Sequence, residues 1–192
     1  MRLWFWTLLA PLLTGCLNLN LKQALPEISY YDLNVQKTPP MCAKPKNVAL
    51  VGVLGADLIN TKDILLKHAN GRIERSVREK FADLPINMLK NMLILEAVRQ
   101  CIMVSVPPSS AHVGLKLHVL WLGFVQDKGI YRAQIVLSAD TGVQSFMALK
   151  SQEVALKFEG KELAIPTQAI LALQQVSAQA IAQILAQVKA SL

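Results

Sequence analysis

The feature that most limits what this chain can become is its last segment. From Thr167 to Val188, Ile170, Leu173, Val176, Ser177, Ala180, Ile181, Ile184, Leu185 and Val188 recur at three- and four-residue spacing. That period gathers them on one stripe of a single long amphipathic helix, and Pro166-Thr167 supplies a start signal. A helix with one apolar stripe has to bury it against a second layer, and the segments upstream read mostly as strands.

Ile28 to Val35 is aromatic and β-branched enough to be a strand, ended by Thr38-Pro39-Pro40. Asn47 to Leu54 is a continuous apolar run, as expected of a strand buried on both faces in the middle of a sheet. Ile64–His68 and Arg72–Val77 flank Asn70-Gly71, a pair that favours a type I′ hairpin. Leu89, Met92 and Leu93 then suit an amphipathic helix starting near Pro85, with Asp83 as its cap. Strand character returns at Cys101 to Val106, Val113 to Gln126, Ile130 to Ala139 and Ser145 to Phe158, with Asp127-Lys128-Gly129 as a hairpin turn. The expected fold is α+β, with a mainly antiparallel sheet of about six to seven strands packed by two helices.

The N-terminus has a different logic. Met1 and Arg2 precede an apolar run, Leu3 to Leu13, which closes on Leu13-Thr14-Gly15-Cys16, the layout of an export signal with a cysteine at the cut site. As a helix the run would extend roughly 16 Å, well short of the ~30 Å hydrocarbon core of a bilayer. The box looks like that of a bacterial lipoprotein, so attachment through acyl chains on Cys16 is the expectation, the alternative being an unmodified cysteine after an ordinary signal peptide; residues 1–15 are then signal peptide, 16–27 a lipidated tether and 28–192 one periplasmic domain. The residue after the cysteine is Leu17 rather than aspartate, which favours the outer over the inner membrane. The chain of 192 residues carries a net charge of +7, and losing Arg2 lowers it by one. That balance fits an anionic head group or acidic partner, though an excess this modest more often serves solubility.

Of three cysteines, Cys42 and Cys101 remain for a compartment where disulfides form. Two neighbouring strands would bring them within bridging range; the alternative, two separate thiols, is the one the sequence favours. Catalysis has no footing. There is no Gly-x-Ser-x-Gly elbow and no phosphate loop, and Gly52-Val53-Leu54-Gly55 lacks the further glycine of a dinucleotide site. His112 and His118, if on one strand, stand roughly 20 Å apart, and no metal-ligand spacing joins them or His68 to cysteines or carboxylates. No catalytic residue, metal or cofactor is expected, and no nucleic-acid partner.

Two surfaces remain as candidates. Arg72, Glu74, Ser76, Arg78 and Lys80 alternate onto one strand face. Arg72, Arg78 and Lys80 could then meet lipid head groups or a partner, or simply form a solvated charged edge. On the last helix, Gln168, Gln175, Gln179, Gln183 and Gln187, interleaved with alanines, make a face almost without charge until Lys189. Such a face costs little to desolvate, so Gln179 and Gln183 could dock another protein or a second copy; the alternative, an ordinary alanine- and glutamine-rich surface helix, is the one the sequence favours.

The order of these pieces resembles a known family. The cysteine box, Tyr30-Tyr31-Asp32-Leu33, the apolar strand Val48 to Val53, and Lys80-Phe81-Ala82-Asp83-Leu84-Pro85 ahead of a helix are similar to the ABC-type transport auxiliary lipoproteins. That family shows Arg-Trp-Ala-Glu where this chain has Lys80-Phe81-Ala82-Asp83. The resemblance implies a non-catalytic, lipid-anchored envelope domain working beside an ABC permease, its ATPase and an MCE-domain protein. Its cargo would be phospholipid or another hydrophobic molecule. An outer-membrane structural lipoprotein unconnected with transport and a stand-alone lipid carrier are the rival expectations.

Overall fold

The computed structural model describes residues 27–34, 42–105, 113–160 and 162–192. Cys16 and its box, the tether up to residue 26, the Thr38-Pro39-Pro40 break and His112 lie outside them. Ten strands and two helices follow in the order β1 (Ser29–Tyr31), β2 (Lys46–Gly55), β3 (Asp63–Lys67), β4 (Ile73–Phe81), α1 (Pro85–Arg99), β5 (Ile102–Ser105), β6 (Gly114–Asp127), β7 (Ile130–Asp140), β8 (Ser145–Val154), β9 (Lys157–Glu159), β10 (Glu162–Ala164) and α2 (Thr167–Ser191).

The sheet is built around β6. One edge pairs antiparallel with β7 over nearly its whole length. The other is shared, with β2 alongside the first half and β3 alongside the second, both parallel. β5 extends β2 in parallel, β4 pairs β3 antiparallel, β1 adds to β4 in parallel, and β8 adds to β7 antiparallel. Four of the seven pairings in this eight-stranded sheet are thus parallel, which corrects the expectation of a mainly antiparallel sheet of six to seven strands. Turn signals announce hairpins because the two strands are adjacent in sequence. Parallel partners are brought together by long connections that leave no local mark. β9 and β10 form a separate two-stranded ribbon, so Ser145 to Phe158 is two strands, not one.

Two bulges keep the pleat in phase with the core. On β6, Leu115, Leu117 and Val119 face inward; the register then slips at Leu120, after which Leu122 and Phe124 face inward instead. On β2 the slip falls at Val51, so that Val48 and Leu50 before it and Val53 after it share one face. Without these extra residues the second half of each strand would turn its apolar set to solvent. They also correct the reading of β2 as buried on both faces, since Val51 and Leu54 are exposed.

The inner face is covered by α2 lying over β7 and β8, and by α1 against β2, β5 and α2. By length and hydropathy α2 could cross a membrane. Here its apolar stripe, including Ile170, Leu173, Val176, Ile181, Ile184 and Leu185, is buried in the core cluster. Truncating one such side chain to alanine costs about 2–5 kcal/mol.

Two local readings change. α1 is capped by the backbone of Leu84 with Pro85 in its first turn. Asp83 sits one residue earlier, where Oδ1 accepts from the Leu84 N–H (2.7 Å) and Oδ2 from Asn87 Nδ2 (3.1 Å). At Asn70-Gly71 only Gly71 takes positive φ, so the β3–β4 turn is not type I′. The two-residue turn with both φ positive is Lys128-Gly129, between β6 and β7.

Candidate functional site

The basic stripe of β4 is engaged within the chain. Arg78 Nη1 donates to Glu159 (2.6 Å) and Nη2 lies 3.6 Å from Glu162, clamping the β9–β10 ribbon to β4. Lys80 Nζ donates to Asp63 (2.8 Å) and to the Ser76 carbonyl (2.6 Å). Arg72 precedes the strand and donates to Glu74 (3.1 Å), whose Oε2 also meets His68 Nε2 at 2.8 Å. Ser76 is buried, so the five alternating residues do not form one exposed face. Each of the three cations has a carboxylate partner, and those of Arg78 and Lys80 come from other elements of the fold.

Cys42 and Cys101 are joined by a disulfide, with Cα atoms 5.5 Å apart. The bond closes the loop that holds β2, β3, β4 and α1. Cys101 follows α1 at φ 60°, the left-handed position usually given to glycine after a helix, and its N–H bonds the Val98 carbonyl (3.1 Å). The sequence preference for two separate thiols missed that β5 begins alongside Lys46 on β2.

Gln179 is exposed and Gln183 half-buried on α2. Gln179 lies with Gln174, Gln175, Leu171 and Ala178 along a groove of about 460 Å³ against Met92, Leu95 and Glu96 of α1. Gln183 does not line it, so the two glutamines do not act as one pair there.

The sheet's outer face, opposite the helices, holds what sequence reasoning missed. The β6 bulge turns Trp121 outward, although it is only 9% exposed. Its indole Nε1 is shielded and has no hydrogen-bond partner. Lys67 Nζ sits 5.8 Å from the ring centroid. Both line a depression of about 440 Å³ with Leu120, Val125, Gln134 and Val136. In register beyond Val136 stands Leu149, and beyond Ser138 stands Met147, 57% and 61% exposed. The signal was an apolar run, but which of its members face outward depends on the bulge.

Among the described residues no group of three or more His, Cys, Asp or Glu side chains is placed to hold a metal ion. The hydrogen bonds from the Leu84 N–H and Asn87 hold the Asp83 carboxyl below the usual carboxylate range.

No family model matches the sequence, and neither does any curated protein. The fold is shared with solved structures, two of them as follows. One, titled as an uncharacterized protein, is 16% identical, with a TM-score of 0.60 over 84% of this chain and 99% of that one. The other, a protein from Xanthomonas campestris carrying the family label DUF330, is 15% identical, with a TM-score of 0.63 over 85% of this chain and 100% of its own. At these identities the common ground is architecture: this chain has the fold of that Xanthomonas protein.

Proposed function

We propose that this chain is a non-catalytic lipoprotein subunit of an envelope transport system for phospholipid or another hydrophobic cargo, held at a membrane by acyl chains on Cys16 and facing the periplasm, with the outer membrane favoured. The observation that carries the reading is Leu13-Thr14-Gly15-Cys16 at the end of an apolar run too short to span a bilayer. The Cys42–Cys101 bond supports it, because such cross-links persist in oxidising compartments and rarely in reducing ones. The resemblance to transport auxiliary lipoproteins supplies the partners: an ABC permease, its ATPase and an MCE-domain protein.

The mechanism is tethering. Two or more acyl chains, at about 0.8 kcal/mol for each buried CH₂, give stable attachment. Confinement then raises the domain's effective concentration for partners on the same membrane without any new contact. Affinity purification of the full chain from membranes tests this. The reading expects permease, ATPase and MCE components to copurify, and to be lost when Cys16→Ala blocks acylation. Recovery of the wild-type chain without any transporter component would count against the transport role.

A further inference from the structure

We propose that the outer face of the sheet binds an anionic amphiphile, its head at Lys67 and Trp121 and its apolar chain across Val136 towards Leu149 and Met147. The site would extend the envelope reading by giving this subunit direct contact with a lipid-like molecule. It fails or stands separately from acylation of Cys16.

The head chemistry follows from the donors. The lysine ammonium can only donate hydrogen bonds, so a ligand that satisfies it presents acceptors, as a phosphate or carboxylate does. Trp121 Nε1 is shielded from solvent, so what the indole offers at the surface is its ring, beside the ammonium. Lys67 forms no ion pair with a carboxylate among the described residues. Its ammonium lies over the Trp121 ring on a flexible stem, so it can move from the ring to an incoming anion. Gln134 can add a further donor, and Asp127 is the acidic residue on the rim.

The chain chemistry follows from the register. Trp121, Val136 and Leu149 stand opposite one another on β6, β7 and β8, facing away from the helices. Met147 lies in the next row, and Leu120, the bulged residue, lines the depression beside Trp121. From Lys67 on β3 to Leu149 on β8 is three strand spacings, about 14 Å, a track for an extended acyl chain with a cationic group at one end. A polar ligand alone would leave Leu149 and Met147 uncovered. A neutral apolar one would leave Lys67 unmet.

The test uses the chain purified from membranes and held in phosphatidylcholine nanodiscs; loss of residues 1–15 takes Trp4 and Trp6 with it, so that Trp121 is the only indole. The Trp121 indole N–H resonance is followed during titration with octyl phosphate below its micelle concentration, with octyl glucoside and inorganic phosphate as comparison arms. A saturable shift is expected with octyl phosphate, at least tenfold tighter than with either comparison. Lys67→Met should weaken octyl phosphate about tenfold and leave octyl glucoside unchanged, Leu149→Asp should weaken both, and Asp127→Asn should tighten octyl phosphate a few-fold. Equal affinity for octyl phosphate and octyl glucoside would overturn the anionic head. Equal affinity for inorganic phosphate would overturn the apolar track. A non-saturable response, or no effect of Lys67→Met, would overturn the site.

Discussion

Breaking the Cys42–Cys101 bond should destabilise the fold by an amount the topology sets. The two residues are 59 apart in sequence, and closing a loop of that length removes about 4 kcal/mol of chain entropy from the unfolded state at 25 °C. Cys42 lies at the start of β2's approach and its loss removes little packing, so Cys42→Ser reports mainly on the cross-link. With a urea m-value of about 2 kcal/mol/M, the midpoint should fall by about 2 M. Reduction of the wild type should give the same shift, measured by circular dichroism across a urea series. A second variant separates the bond from the backbone it constrains. Cys101 holds φ 60°, which costs a non-glycine residue about 1–2 kcal/mol. Cys42→Ser with Cys101→Gly should therefore recover part of the loss. Midpoints that agree within 0.3 M, as an order-of-magnitude limit on the assay, for oxidised, reduced and Cys42→Ser protein would refute the reasoning.

Other outcomes follow from single positions. Gly123 has φ +149°, and a Cβ there would stand 2.6 Å from the Leu65 carbonyl oxygen, so Gly123→Ala should cost about 3 kcal/mol, read as a lowered urea midpoint. Leu173→Ala should cost about 2–5 kcal/mol by the same assay, because the side chain is wholly buried between α2 and the sheet. Arg78→Ala should change global stability by no more than about 1 kcal/mol, since its pairs are partly exposed. It should nonetheless speed amide exchange in β9 and β10, and unchanged exchange would remove its role as a clamp. Asp83 has a folded pKa below its unfolded value of 3.8, so its contribution is present above that pH and lost as pH falls through the depressed folded value. Asp83→Asn should therefore flatten stability against pH below about 4, the unfolded aspartate value, and leave the neutral range unchanged in slope.

The helices were legible because a 3.6-residue period declares itself within one segment: α2 begins at Thr167 as the spacing of Ile170, Leu173 and Val176 requires. The β6–β7 hairpin was legible for a similar reason, as Lys128-Gly129 carries its own turn chemistry. What could not be read was partnership. Nothing in Asn47 to Leu54 says that β2 lies parallel to β6 or that β6 divides one edge between β2 and β3. The site was hidden by the same limit. Counting by twos from Leu115 assigns Trp121 to the core face, and only the slip at Leu120 turns it outward over Lys67. On β4, alternation put Arg72, Arg78 and Lys80 together, but the carboxylates that engage Arg78 and Lys80 come from β3 and the β9–β10 ribbon.

The account rests on a lipid anchor in place of a membrane-spanning segment, and mass spectrometry of the N-terminal peptide recovered from bacterial membranes measures that directly. The account predicts a peptide that begins at Cys16 and carries the added mass of its acyl chains. A chain recovered from the soluble fraction with residues 1–15 still attached and Cys16 unmodified would contradict it.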